Sequence, residues 1–118
     1  MADPSDDIAR RAAQRLGLEL DRNLPALVEA RIQGGGAIAK RYELVTLVAL
    51  AALVVTVAKY TWDIYRDLKK DAKAAPSAEV IARTIRLELK GDGSVTIEQR
   101  DRVISVVVEE ATQAPPKS

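Results

Sequence analysis

Residues 44–58 read LVTLVALAALVVTVA and contain neither a charged residue nor a helix-breaking one. These 15 residues fall short of the roughly 20 that a helix needs to cross about 30 Å of hydrocarbon. Extension to 42–62 gives 21 residues and admits Glu43 and Lys59 near the two ends. A long side chain there can reach water at modest cost. The stretch predicts a single transmembrane helix with its span at about residues 42–62.

The aromatic residues support a membrane span. The chain has one Trp, three Tyr and no Phe, and all four aromatic residues flank the apolar run. Trp and Tyr favour the boundary between hydrocarbon and water, because each combines an apolar ring with a polar group. We expect an interface belt formed by Tyr42, Tyr60, Trp62 and Tyr65. The alternative is the buried central helix of a soluble bundle, which needs partner helices on every side.

Small side chains recur along one face of the predicted span. They are Thr46, Ala49, Ala52 and Thr56, at spacings of three, three and four residues, and Lys59 continues the line. Small residues let helix backbones approach closely in lipid, and threonine hydroxyls can hydrogen-bond across the contact. The stripe predicts a packing face for another helix, although Ala and Thr are also common fillers of membrane spans.

Before the span, residues 1–33 have the pattern of short amphipathic helices. Asp6 and Asp7 suit the positive end of a first helix, and a second is expected to begin at Pro25. Three glycines at 34–36 interrupt any helix and predict a hinge. From 37 to 75 the chain has no Gly or Pro, so we expect the transmembrane helix to continue as a charged stalk.

A small C-terminal module is expected over residues 77–113, followed by a disordered tail at 114–118. Residues 84–90 alternate strictly between apolar and charged side chains, which predicts a half-buried strand. Residues 99–112 admit two interpretations. Thr96 and Gln99 resemble a capping box that opens a helix, whereas the β-branched residues that follow favour a strand.

We favour strand–turn–helix for this module, so the predicted fold class is mainly α with a small α+β unit. One strand and one helix cannot bury their apolar faces alone. The module is therefore expected to dock a partner protein through its apolar residues Ile85, Leu87, Leu89, Ile104 and Val108.

The composition excludes several kinds of site. Histidine and cysteine are both absent, which removes the usual ligands of zinc, haem and iron–sulfur clusters. The same absence removes the central groups of Ser-His-Asp and Cys-His catalysis. With 18 basic and 17 acidic residues, the chain lacks the basic excess of a nucleic-acid-binding protein. We expect no catalytic residue, no cofactor and no metal.

Basic residues near the predicted span bear on its orientation. Within about 15–20 residues they number three toward its N-terminal end and five at or beyond its C-terminal end, which favours a cytoplasmic C-terminal side. The residues are Arg31, Lys40 and Arg41, and Lys59, Arg66, Lys69, Lys70 and Lys73. The richness in Ala, Arg and Val is typical of a high-GC bacterial or phage genome.

These features predict a non-enzymatic, single-pass protein of the cell membrane. It would act as an accessory subunit or scaffold that contacts lipid and docks a partner protein or further copies of itself. An alternative is a small membrane-perforating effector, holin-like or a bacterial defence protein, which oligomerises through its span and places Lys59 around a common axis. A second alternative is a soluble oligomer in which the apolar helix forms a shared core.

Overall fold

The computed structural model describes residues 4–34, 45–71, 77–89 and 95–113. These residues form five helices: α1 (Pro4–Glu19), α2 (Leu24–Ile32), α3 (Val45–Asp71), α4 (Ala78–Glu88) and α5 (Ile97–Gln113). Of the described residues, 89% are helical. The mainly-α part of the predicted fold class is therefore confirmed.

The first two helices form a tight corner. Asp6 and Asp7 lie in the first turn of α1, where a negative charge stabilises the helix. Pro25 lies in the first turn of α2, where its missing N–H is not needed. Gly17 is buried at the crossing, and a Cβ built on it would lie 2.9 Å from Cδ of Pro25. The absence of a side chain at Gly17 is what lets α2 fold back so closely.

Helix α3 is the central element, since it contacts each of the other four helices. Its buried positions recur at spacings of three and four residues: Leu50, Ala51, Val54, Val57, Ala58, Thr61, Trp62 and Tyr65. At 1.5 Å per residue they cover about 22 Å of the helix. The described helices therefore share one hydrophobic core with α3 at its centre.

The predicted C-terminal strand is wrong. Residues 78–88 form α4, and none of the described residues is in a strand. Ser77 caps α4 by accepting a hydrogen bond from the backbone N–H of Val80 at 3.2 Å. Ile81 and Ile85 are buried on one helical face, whereas Leu87 is 76% exposed. The apolar period of a helix outweighs the alternation at 85–89, because Ile81 extends the helical face by another turn.

The helix interpretation of residues 99–112 is confirmed. Thr96 and Gln99 form the reciprocal capping box, each accepting from the other's backbone N–H at 3.0 Å. The β-branched residues of α5 between Val103 and Val108 are buried, and the helix contacts α1, α3 and α4. Packing on three sides offsets the modest helix propensity of valine and isoleucine. The predicted strand–turn–helix module is thus a pair of helices.

Ion pairs join the edges of the bundle. Arg11 and Arg15 contact Glu110 at 3.3 and 3.1 Å, and Arg102 donates to Glu19 at 2.6 Å. These pairs connect α1 with α5. Arg10 on α1 holds Glu29 on α2 through two hydrogen bonds of 2.8 and 2.9 Å. The hydrogen bonds from Arg102 and Arg10 lower the pKa of Glu19 and of Glu29, respectively.

Candidate functional site

The face of α3 that points away from the core carries most of the predicted small-residue stripe. Ala49 and Ala52 are half-buried there, and Thr56 and Lys59 are exposed. The side chain of Thr46 lies outside the described residues. Two exposed charged residues, Asp63 and Arg66, continue the same line at spacings of four and three. We call the line from Ala49 to Arg66 the outer face of α3.

A cleft opens where the outer face of α3 meets α1 and α2. Its volume is about 440 Å³, which is within the usual range for ligand sites. Ile32 and Val55 give it an apolar wall. Its charged residues come from all three helices: Asp6 from α1, Arg31 from α2, and Lys59 and Asp63 from α3. We call this cavity the α3 cleft.

The charged groups of the α3 cleft are balanced in sign but are mostly unpaired. Asp63 contacts Arg66 at 3.2 Å along its own helix. By contrast, Asp6, Arg31 and Lys59 form no ion pair within 4.0 Å with any described residue. Two acids and two bases give the cleft no net charge. The arrangement suits a ligand or surface that carries both signs of charge.

The predicted interface belt is divided between the core and the surface. Trp62 and Tyr65 are 6% and 4% exposed and stack with their ring centroids 5.9 Å apart. Arg66 lies over the ring of Trp62 and Lys69 over that of Tyr65, at 5.9 and 5.7 Å. Tyr60 is 41% exposed and borders the α3 cleft. Tyr42 lies outside the described residues.

Within the described chain, one helical stretch, Leu47–Lys70, is long and apolar enough to cross a membrane. The core helix of a soluble protein passes the same test of length and apolarity. The rest of the described chain buries 39% of its most apolar part. Asp6 and Arg31 lie near Thr56 in the α3 cleft, close to the middle of this stretch.

The residues predicted to dock a partner at the C-terminal end occupy different environments. Ile85, Ile104 and Val108 are almost fully buried within the protein's own core. Leu89 is half-buried, and Leu87 is exposed. The five residues therefore do not form one accessible surface.

Sequence reasoning missed the contribution of α1 and α2 to the site. Asp6 and Arg31 lie 53 and 28 residues before Lys59, and no local motif marks either as part of a cleft. Three-helix packing alone brings them to α3. Their charges were visible in the sequence, but each reads as an ordinary solvated residue of a short helix.

The chemistry available in the α3 cleft is that of charge pairing and hydrogen bonding. Its lining carries carboxylates, a guanidinium, an ammonium and two hydroxyls, on Thr56 and Tyr60. No group of three or more potential metal ligands occurs among the residues described. The chain matches no protein-family model, no curated protein and no solved structure. The function must therefore be argued from the site itself.

Proposed function

We propose that the protein is a non-enzymatic interaction subunit that presents the outer face of α3 and the adjoining cleft to a protein partner. One observation carries this proposal: the cleft gathers Asp6, Arg31 and Lys59 beside an apolar wall, and none of the three forms an ion pair within 4.0 Å with a described residue. Charges at the edge of an apolar wall can pair with opposite charges of a partner and so set its orientation.

The outer face of α3 suits a helical partner. Ala49 and Ala52 lie where a second helix would approach, and their short side chains permit close packing. Thr56 and Lys59 follow on the same line and can hydrogen-bond or pair with polar groups of the partner. Apolar contact would supply affinity, and the charges of the cleft would fix orientation.

A water-soluble bundle is the form that agrees best with these contacts. While α1 and α2 pack on α3, Asp6 and Arg31 lie beside the middle of the apolar helix. In a bilayer this position places both in hydrocarbon, at a cost of about 2.5–3.5 kcal/mol for each charged side chain. Among the predicted functions, the soluble assembly built on the apolar helix is therefore the one we favour.

Photo-cross-linking tests the proposed surface. A photoreactive amino acid is placed at Thr56 on the outer face of α3 and, as a control, at Gln14, which is exposed on α1. In cells of the source organism we expect a discrete adduct of higher mass from position 56 and none from position 14. Equal adducts from both positions, or none from position 56, would exclude the outer face as the binding surface.

A second candidate function is that of a membrane-anchored accessory subunit, which the length and apolarity of Leu47–Lys70 favour. This function requires the helices packed on the span, α1, α2, α4 and α5, to leave α3 before it enters lipid. The excess of basic residues then favours a cytoplasmic C-terminal side. Extraction without detergent, with protease protection of a C-terminal tag, tests it. Monomeric protein in the soluble fraction would exclude this candidate.

A further inference from the structure

We propose that the partner of the outer face of α3 is a second copy of the chain, packed antiparallel about a two-fold axis level with Thr61. This inference rests on the proposed function and names the partner of the same surface. The antiparallel arrangement brings Lys59 of each copy against Asp63 of the other.

The charged half of the outer face has the spacing of a helix-pairing line. Thr56, Lys59, Asp63 and Arg66 are exposed and follow one another at intervals of three, four and three residues. These intervals keep the four side chains on one face of α3, where a helix lying alongside would meet them in turn. Ala52 continues it toward the N-terminus of α3 and faces Lys70 of the other copy in this register.

The signs of the charges select the antiparallel direction. In a parallel pair Lys59 would face Lys59 and Asp63 would face Asp63, and like charges in direct contact repel. Lys59 and Asp63 lie two residues on either side of position 61. An antiparallel pair centred there therefore places opposite charges in contact twice. The same register sets Arg66 opposite the hydroxyl of Thr56, which can accept its hydrogen bond.

The balance of charge in the α3 cleft favours a second copy over an unrelated partner. A two-fold interface uses the same patch on both sides, so the patch must complement itself. Asp6 and Arg31 flank the line from α1 and α2, so the patch holds two acids and, with Arg66, three bases. It therefore offers charges of both signs to a second copy, and its excess is a single positive charge.

A charge-reversal experiment on the full chain tests the pairing. Self-association is measured by analytical ultracentrifugation at low ionic strength for the natural chain, for Lys59→Asp and for Asp63→Lys. Each single variant sets like charges against each other twice, and we expect its dimer to weaken by on the order of tenfold or more. An equimolar mixture of the two variants restores both opposite-charge contacts, and we expect it to form a heterodimer.

Recovery of the dimer in the mixture distinguishes pairing between copies from destabilisation of α3 within one copy. A change that merely destabilised α3 would not be repaired by mixing two altered chains. Glu79 and Arg83 on α4 supply a matched control, because they form an exposed ion pair at 3.6 Å with the same spacing of four residues. Glu79→Lys and Arg83→Asp should leave self-association unchanged.

Disulfide trapping tests the direction of packing. The natural chain has no cysteine, so only the introduced cysteines can form a disulfide. A mixture of Thr56→Cys and Arg66→Cys chains should form a disulfide between copies, whereas Thr56→Cys alone should not. A disulfide between two copies of Thr56→Cys would show parallel packing and overturn the proposal.

Other outcomes would also overturn the second copy as partner. They are a natural chain that stays monomeric up to about 1 mM, single variants that dimerise normally, and a mixture that fails to associate. If the chain is monomeric yet position 56 still cross-links to a different protein, the proposed function survives and only the identity of the partner is wrong. If position 56 cross-links to nothing, both fail.

Discussion

The two faces of α3 differ in composition and in environment. Leu50, Val54 and Val57 are at most 2% exposed and form the centre of the core. Ala49 and Ala52 on the other side are half-buried, and Thr56 is exposed. The core face of α3 is thus built from larger apolar side chains, and its outer face from small and charged ones.

This difference distinguishes a core helix from a lipid-embedded one. In lipid both faces of α3 must be apolar, because neither meets water. In a soluble bundle the core face alone is under that constraint, and polar residues are tolerated opposite it. The same substitution made once on each face therefore tests which environment α3 occupies.

The largest effect is expected from an acidic residue on the core face of α3. Val54→Asp places an unpaired carboxylate at a fully buried site and should lower the free energy of unfolding by about 3–5 kcal/mol. Ala52→Asp, two residues away on the outer face, should cost less than about 1 kcal/mol. Chemical denaturation measures both. Equal, severe losses at the two positions would show that the outer face is also enclosed.

A second contrast separates the buried and exposed sides of α4. Ile85 is 1% exposed and Leu87 is 76% exposed. Ile85→Ala should therefore cost about 2–5 kcal/mol, while Leu87→Ala should change stability by less than about 0.5 kcal/mol. In a half-buried strand the two residues would share a face and behave alike. Comparable losses from both substitutions would restore the strand interpretation.

The elements that could be predicted from the sequence are those with strong local signals. The capping box at Thr96 predicts the start of α5, and the acidic residues of the first turn predict the start of α1. The apolar run correctly marks a long helix. At α4 the local signal misled, because an alternating stretch of seven residues fits a strand as well as a helix. The deciding residue, Ile81, lies outside that stretch.

The environment of α3 and the α3 cleft could not be predicted in this way. A 15-residue apolar run is consistent with lipid or with neighbouring helices on its core side, and the difference depends on contacts distant in sequence. Asp6, Arg31 and Lys59 line one cleft only because α1 and α2 both pack on α3. Helix-crossing angles depend on side-chain packing at the interface, and the stripe pattern alone does not specify them.

A substitution at the corner between α1 and α2 is expected to lower stability more moderately. Gly17→Ala places a methyl group 2.9 Å from the ring of Pro25, and such overpacking costs about 1–3 kcal/mol. The better helix propensity of alanine offsets up to about 1 kcal/mol of it. We expect a net loss, measured by thermal unfolding. Leu18→Ala is the control, because Leu18 is 92% exposed. An unchanged or raised Tm for Gly17→Ala would show that α2 moves freely away.

The smallest effect on stability is expected from the ion pairs at the edges of the bundle, in contrast to the apolar contacts at its centre. Because arginine hydrogen bonds lower the pKa of Glu19 and of Glu29, their contribution to stability is present above the unfolded-state pKa. It is lost as the pH falls through the lower folded-state pKa. Thermal unfolding between about pH 5 and pH 3 should therefore show a Tm that falls with pH, and added salt should reduce the slope of Tm against pH.

Glu19→Gln should remove part of that slope. Glu98→Gln is the control and should leave the slope unchanged, because Glu98 is exposed and forms no ion pair within 4.0 Å with the described residues. If the two variants have the same pH profile, the contact between Glu19 and Arg102 adds nothing to the cohesion of α1 and α5, and apolar packing alone joins them.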